Sequence, residues 1–291
     1  MSDAAIADRV QAIVLQRVEN DDLVLPSLPV VVAKCMVLLG DPQRSLREVA
    51  RVIETDPLVA AQVVRLANVA SRAPVAPVRS VAESVTRLGA MDLELFLIES
   101  AARQLFESSD RHIAEISRGL WAHSLGVAIL ARDLMRHADG GRPQRADEGY
   151  LAGLLHDVGK PVLAAMLLDA EKRLRGTRTK SWLVPAAWLN LISSSHRRVG
   201  VALAEKWQMP DAVRLSVRDC GDYDATDPHS LANAVRLANA VTKLEGVFVG
   251  PMDQSETEAL VFVGRALFGV DDEQMKYLTS YLKERVNERL A

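Results

Sequence analysis

The sequence has almost nothing with which to form covalent cross-links or to cross a membrane. Its two cysteines, Cys35 and Cys220, lie far apart and make no Cys-x-x-Cys pair, so a disulfide framework is not indicated. The N-terminus lacks the charged-then-apolar pattern of a signal peptide, and no apolar run of membrane-spanning length is evident. We therefore expect a cytoplasmic protein with no membrane partner.

The sequence is also poor in aromatic residues and in net charge. Aromatic residues make up 4% of the chain, so Leu, Val and Ala must supply most of the core, which favours closely packed helices. The formal net charge of −3 gives no general attraction to nucleic acid. The dense basic stretch at 171–181 has no interleaved aromatic residue and is predicted to be a solvated loop. No nucleic-acid partner is expected.

Apolar residues recur at helical spacing through nearly the whole chain, and no segment has the strict alternation of a β-strand. We predict an all-α fold of two packed helical bundles. A polar interruption within residues 107–112 marks the boundary, giving an N-terminal bundle over 1–108 and a second bundle with a C-terminal helical extension over 109–291. The spacing predicts a last helix over about 272–290 that packs on the chain's own core, and a homodimer contact through it stays open.

One stretch places polar side chains inside apolar surroundings. His156 and Asp157 lie in a leucine-rich run ahead of Gly-Lys, so both side chains need partners within the core. Imidazole and carboxylate both suit a divalent cation, and Lys160 stands one helical turn beyond His156. The alternative is a core histidine hydrogen-bonded beside a helix-terminal aspartate, and residues 153–160 alone do not decide between the two.

Two further histidines, His123 and His196, lie on predicted helices with apolar neighbours. Together with His156, Asp157 and a later acidic residue, they could hold a divalent metal in an all-helical cavity. Such a metal lowers the pKa of a bound water to near 7 and generates hydroxide for attack on phosphorus. Lys160 could then balance charge on a phosphate oxygen, which makes it the candidate catalytic residue.

The order of these motifs resembles one family. Gly-Leu-Leu-His-Asp-Val-Gly-Lys at 153–160, preceded by Trp-Ala-His-Ser at 121–124, is similar to the HD superfamily of metal-dependent phosphohydrolases. Over about residues 20–220 the chain resembles more closely the HDOD branch, the HD-related output domain of bacterial signalling proteins, which implies an HD-like C-terminal bundle. The stretches that carry this closer resemblance are Leu-Pro-Ser-Leu-Pro at 25–29, Asp-Pro-Leu-Val-Ala at 56–60, Leu-Ala-Asn at 66–68, Val-Thr-Arg-Leu-Gly at 85–89, His-Arg-Arg-Val-Gly at 196–200 and Trp-Gln-Met-Pro at 207–210.

The resemblance implies a metal site that this chain matches incompletely. His123 corresponds to the family's first histidine, and His156 with Asp157 corresponds to its defining pair. His196 corresponds to a histidine of the related HD-GYP phosphodiesterases. Asn239 replaces the aspartate expected as the last ligand, which removes one negative charge from any cation site and makes the site degenerate.

The second histidine pair of the HD-GYP enzymes is also absent. Residues 218–221 stand in its place and leave Asp219 as one further candidate ligand. The resemblance therefore implies a regulatory output module without catalysis, which contacts signalling proteins. A small nucleotide messenger could bind in the same cavity through Lys160 or the basic stretch. No bound cofactor is expected. The alternative is a metal-dependent phosphohydrolase, an HD-type phosphodiesterase that uses Mn, Fe, Zn or Mg.

Overall fold

The computed structural model describes residues 3–20, 22–41, 43–69, 76–108, 111–138, 143–175 and 185–290. Within these ranges the chain consists of α-helices joined by turns and short extended segments, without a β-strand, which confirms the all-α prediction. The helices in chain order are α1 (Asp3–Glu19), α2 (Val30–Leu39), α3 (Leu46–Ile53), α4 (Pro57–Val69), α5 (Val81–Leu105), α6 (Arg111–Ala138), α7 (Pro143–Leu155), α8 (Gly159–Arg175), α9 (Pro185–Lys206), α10 (Asp211–Asp219), α11 (Leu231–Leu244), α12 (Gln254–Phe268), α13 (Asp272–Thr279) and α14 (Leu282–Leu290).

The helices form two compact units. The insert unit is Ser27–Gln104, and the main unit is Met1–Pro26 together with Leu105–Ala291. In the insert unit, Asp56 caps α4 by accepting the N–H of Leu58 at 3.0 Å, as expected for an Asp-Pro helix start. Gly89 has a φ of 75° and divides α5 into two helical stretches, a left-handed conformation that glycine adopts at little steric cost.

The main unit is built around α6. Helices α7, α11 and α14 pack along it, while α8 packs against α9 and α10 contacts α7, α9 and α11. Small residues allow close approach between these helices. At Gly153 of α7 an added Cβ would lie 2.7 Å from Ala128 Cα of α6, a separation that a real side chain cannot adopt. Glycine therefore sets the distance between the two helices that flank the candidate site.

The first helix belongs to the main unit, which corrects the prediction of a single bundle over residues 1–108. Helix α1 packs against α8 and α9, and Val14 and Val18 are buried. The observed boundary after residue 104 lies close to the predicted one. Periodicity identifies α1 as a helix, but it does not identify which helices far along the chain cover its apolar face.

The helix predicted over 272–290 is two helices. Tyr281 has a φ of 62°, in the left-handed region, and separates α13 from α14. Helix α14 docks on α6 through an ion pair between Arg285 and Asp133 at 2.7 Å, and the guanidinium of Arg289 lies 5.5 Å from the centre of the Tyr150 ring. The C-terminal segment thus packs on the chain's own core.

Two sequence-based expectations around α8 are wrong. The stretch Arg145–Ala170, which covers most of α7, the turn after it and the first part of α8, is long and apolar enough to cross a membrane by length and composition, although no run of that kind was expected. Because 72% of its apolar window is buried within the protein, it has the character of a core helix. Residues 171–175 of the basic stretch continue α8 instead of forming a loop, and residues 176–181 lie outside the described residues.

Candidate functional site

The centre of the site is the short turn that joins α7 to α8. His156 and Asp157 lie in this turn, which is closed by the backbone bonds Val158 N–H to Leu155 O (3.0 Å) and Lys160 N–H to Asp157 O (2.9 Å). Gly159 begins α8, and a Cβ there would lie 1.8 Å from a backbone oxygen of α9. Only glycine lets the start of α8 approach α9 so closely, which brings residues of both helices to one point.

Three histidines from three different helical segments are anchored in the same way. Each donates Nδ1–H to a backbone carbonyl, which can only accept, so the Nε2 atom of each ring is left to face the site. His156 donates to Gly153 O at 2.7 Å and His123 to Val247 O at 2.9 Å, while His196 faces the carbonyls of Ile192 and Ser193 at 2.9 and 3.0 Å. All three Nε2 atoms are thereby directed away from their own backbone.

The Nε2 atoms converge on one carboxylate and one amide. His156 Nε2 lies 3.2 Å from Asp157 Oδ2, and His196 Nε2 lies 3.3 Å from Asp157 Oδ1. His123 Nε2 lies 3.0 Å from the side-chain oxygen of Asn239. The structure therefore brings together the five residues singled out as His123, His156, Asp157, His196 and Asn239. A lone pair facing a carboxylate oxygen is repulsive unless a proton or a cation lies between them.

The residues present fit a divalent cation at one position. One ligand atom each from His123, His156 and Asp157 lies within 4.8 Å of the others, and all three side chains are buried. His156 Nε2 is buried, and among the described residues it makes no hydrogen bond of good geometry, with only the Asp157 carboxylate facing it at 3.2 Å. A buried polar atom without a partner is costly, and a cation bound between these three ligands would satisfy it.

Asp157 is ionised although it is buried. Burial raises the pKa of its carboxyl, but the charge interactions with His156 and Lys160 outweigh burial and hold the pKa well below its usual value. The ammonium of Lys160 contacts Asp157 Oδ2, three residues along the chain. The chain's own lysine thus balances the one carboxylate of the site.

His123 is neutral. Burial first, and then repulsion from His156, lower its pKa to about 3. Because the proton of the His123 ring is on Nδ1, its Nε2 atom must accept a hydrogen bond. The Asn239 side chain can donate one if its amide is rotated so that NH2 takes the place of the oxygen, and the two amide orientations occupy the same space. The ring also meets Phe248 edge-on, with ring centres 5.6 Å apart.

A second lysine, which the sequence analysis missed, lies near this cluster. Lys243 is on α11 with its ammonium 5.2 Å from the centre of the Phe248 ring. Burial first, and then repulsion from Lys160, lower the pKa of Lys243, while Asp157 raises it. The sequence could have indicated Lys243, because it follows Asn239 by four residues and the two therefore lie on one face of a helix.

Asp219 is not part of the site, which corrects its assignment as a further ligand. Its carboxylate pairs with the neighbouring Arg218 at 2.6 Å and its side chain is 48% exposed. Burial raises the pKa of the adjacent Cys220 thiol to about 11, so this cysteine is not a ready thiolate ligand. Within the ranges that the structure describes, His123, His156 and Asp157 are the one group of His, Cys, Asp and Glu with metal-ligand spacing.

Solved structures share the fold over nearly the whole chain. A candidate metal-dependent phosphohydrolase from Shewanella amazonensis SB2B is 22% identical, with a TM-score of 0.72 over 97% of this chain and 99% of that one. An HDOD domain protein of unknown function from Geobacter sulfurreducens is 26% identical, with a TM-score of 0.59 over 91% and 90% of the two chains. A candidate signal transduction protein from Marinobacter aquaeolei VT8 has a TM-score of 0.63 at 22% identity and covers 99% of this chain and 66% of its own.

The sequence comparisons agree with the order of motifs. An uncharacterised protein of Treponema pallidum (strain Nichols) is 24% identical over 216 residues, which are 74% of this chain and 39% of that protein. This chain therefore spans less than half of the length of that relative. The HDOD domain family matches residues 25–221, well over half of the chain. This chain belongs to the HDOD domain family.

Proposed function

We propose that this chain is a regulatory module of bacterial signalling that acts in the cytoplasm through protein contacts and catalyses no reaction. The observation that carries the proposal is Asn239, which lies 3.0 Å from His123 Nε2 where the resemblance implies a carboxylate. A neutral amide deprives a divalent cation of one anionic ligand. Lys160 also neutralises Asp157, so the remaining carboxylate is already balanced.

The ligand that we propose for this site is a small nucleotide messenger. Lys160 keeps 20% of its side chain exposed and is therefore reachable from solvent. Lys243 is close enough to Lys160 for the two charges to repel. Two ammonium groups beside a single carboxylate leave an excess of positive charge, which suits a phosphate group.

Calorimetry on the purified chain tests the ligand. We expect heat of binding with at least one of cyclic dinucleotides, cyclic mononucleotides and guanosine tetraphosphate. Lys160→Met should weaken that binding by roughly tenfold or more, because a charge-assisted hydrogen bond is lost. Lys276→Met, on α13, is the matched control and should bind as the wild type does. The absence of heat with all three classes would contradict the nucleotide part of the proposal.

A second candidate function, metal-dependent phosphohydrolysis, is favoured by one observation: the buried His156 Nε2 makes no hydrogen bond within the part of the chain that the structure describes. His123, His156 and Asp157 would hold the metal, which when bound supplies a hydroxide at neutral pH. The chain's own part would be to fix the rings through their Nδ1 bonds, and to offer the Lys160 ammonium to a phosphate oxygen.

Elemental analysis separates the two functions. Under the regulatory proposal, the purified chain carries no near-stoichiometric manganese, iron or zinc and does not hydrolyse bis(p-nitrophenyl) phosphate. Stoichiometric metal together with turnover, both lost in His156→Ala and Asp157→Ala but retained in His229→Ala, would establish the enzyme instead. His229 is a suitable control because its ring lies against Phe268, in another part of the main unit.

A further inference from the structure

Helix α9 carries a residue of the candidate site and also holds the chain segment that leads to the insert unit. His196 lies near its middle, with Nε2 3.3 Å from Asp157 Oδ1. At its end, Trp207 donates Nε1–H to Pro26 O at 3.1 Å and Lys206 donates to Leu25 O at 2.6 Å. Arg198, two residues after His196, donates to Glu19 O at 2.9 Å.

The segment held in this way has little structure of its own. Between the end of α1 and Val30, residues 22–29 have no regular secondary structure, and Val24 is 79% exposed. The carbonyls of Leu25 and Pro26 are the last two before the insert unit begins at Ser27. Both of these carbonyls accept hydrogen bonds from α9 side chains, so α9 restrains the chain where it leaves the main unit.

Trp207 is the main anchor of the segment. Its ring is buried, and a buried indole N–H needs a partner, whereas Lys206 is exposed and its bond competes with water. The position of Trp207 is fixed because α9 ends in a Schellman motif, with Met209 N–H bonded to Ala204 O and Gln208 in the left-handed conformation. The C-terminal half of α9 thus connects His196 to Trp207.

Helix α9 is also tightly packed at His196. Gly159 packs so tightly against the His196 carbonyl that a methyl group would not fit between α8 and α9. The turn that carries Asp157 therefore cannot move far without displacing α9 at His196. Helix α1 packs against the same two helices, which places the whole N-terminal segment on the elements that carry the site.

We propose that α9 couples occupation of the cluster formed by His156, Asp157 and His196 to the restraint of residues 22–26. Occupation of the cluster changes the contact between Asp157 and His196, and α9 passes this change to Trp207 and its bond with Pro26. The coupling rests on the proposed function only in placing a ligand at the cluster. It gives a regulatory module an output in the segment of the main unit that ends at Pro26.

Hydrogen–deuterium exchange on the full chain tests the coupling without any ligand. Trp207→Phe, which keeps the ring but removes the N–H, should speed exchange of the amides within residues 22–25. Asp157→Asn should speed the same amides by roughly fivefold or more, the lower end of typical coupling between sites. Arg218→Met, which removes only an exposed ion pair on α10, is the control and should leave them unchanged.

An unchanged segment in Asp157→Asn, alongside acceleration in Trp207→Phe, would overturn the proposal. Equal acceleration throughout residues 27–104 would overturn it as well, because that pattern is general destabilisation. If Asp157→Asn does not fold, His196→Gln replaces it and decides in the same way. Because coupling between two sites is reciprocal, a change at Trp207 should also be detected at the histidines. Trp207→Phe should therefore shift the ring ¹⁵N resonances of His156 and His196. A negative ligand titration would contradict the nucleotide proposal and leave these outcomes intact.

Discussion

Acidification should destabilise the main unit through His123. Its pKa is about 3 because the ring is buried and His156 repels its proton, whereas an unfolded histidine titrates at roughly 6.5. Between these values the unfolded chain binds a proton that the folded protein excludes, so lowering the pH favours unfolding. The stability due to neutral His123 is present above about pH 6.5 and is lost as the pH falls toward about 3.

Linkage gives the size of this effect. Within the window each pH unit lowers the free energy of unfolding by up to about 1.4 kcal/mol, which amounts to about 2 kcal/mol between pH 7 and pH 5. The pKa of Asp157 is held below its usual value, so the stability due to its ionised form is lost only below about pH 4. The interval from pH 7 to pH 5 therefore isolates the histidines.

Urea unfolding followed by tryptophan fluorescence measures this quantity, since Trp121 and Trp207 are buried in the main unit. His123→Gln keeps a donor for the Val247 carbonyl but cannot titrate. In buffers that contain a chelator, the wild type should lose about 2 kcal/mol more than the variant between pH 7 and pH 5. Equal losses would refute the inference that His123 is desolvated and neutral.

Three substitutions test other parts of the structure. Asn239→Asp adds a carboxylate to the candidate metal centre, so Mn²⁺ should bind at least about tenfold more tightly by calorimetry. Without metal, the added buried anion should lower the melting temperature. An unchanged Mn²⁺ affinity would show that residue 239 is not the missing ligand. Gln208→Gly should raise the free energy of unfolding by roughly 0.5–1 kcal/mol in urea titrations, because Gln208 has a φ of 56° that glycine adopts without strain, and a loss of stability would contradict this. Gly159→Ala should lower the free energy of unfolding by about 3 kcal/mol or more, since the new Cβ would lie 1.8 Å from the His196 oxygen. Gly40→Ala, whose nearest atom would be 3.5 Å away, is the control and should melt close to wild type by circular dichroism.

The fold could be predicted where its cause is local. Helical periodicity and the cap at Asp56 depend on neighbouring residues, and the structure bears them out. The partners of α1 depend on α8 and α9, more than a hundred residues away in sequence, and no local pattern reports them. The break at Tyr281 was also missed, because tyrosine gives no sign that it will adopt a left-handed conformation.

The candidate site divides in the same way. His123, His156, Asp157 and His196 could be named because imidazole and carboxylate in apolar helices are unusual, and the structure brings them together. Their geometry could not be foreseen, because it depends on backbone carbonyls such as Val247 O that carry no sequence signature. Asp219 illustrates the opposite error: its sequence position matched a ligand stretch, but the neighbouring arginine engages it at the surface.

The insertion of Ser27–Gln104 between α1 and α6 has a consequence for biosynthesis. The insert unit is continuous in sequence, so it can fold as soon as it has left the ribosome. Helix α1 is made before α8 and α9 but packs on both of them, and α9 ends only at residue 206. At 5–20 residues per second, roughly 10–40 s pass between the synthesis of α1 and that of its last partner. Val14 and Val18, buried in the finished protein, are exposed to chaperones and proteases throughout that interval.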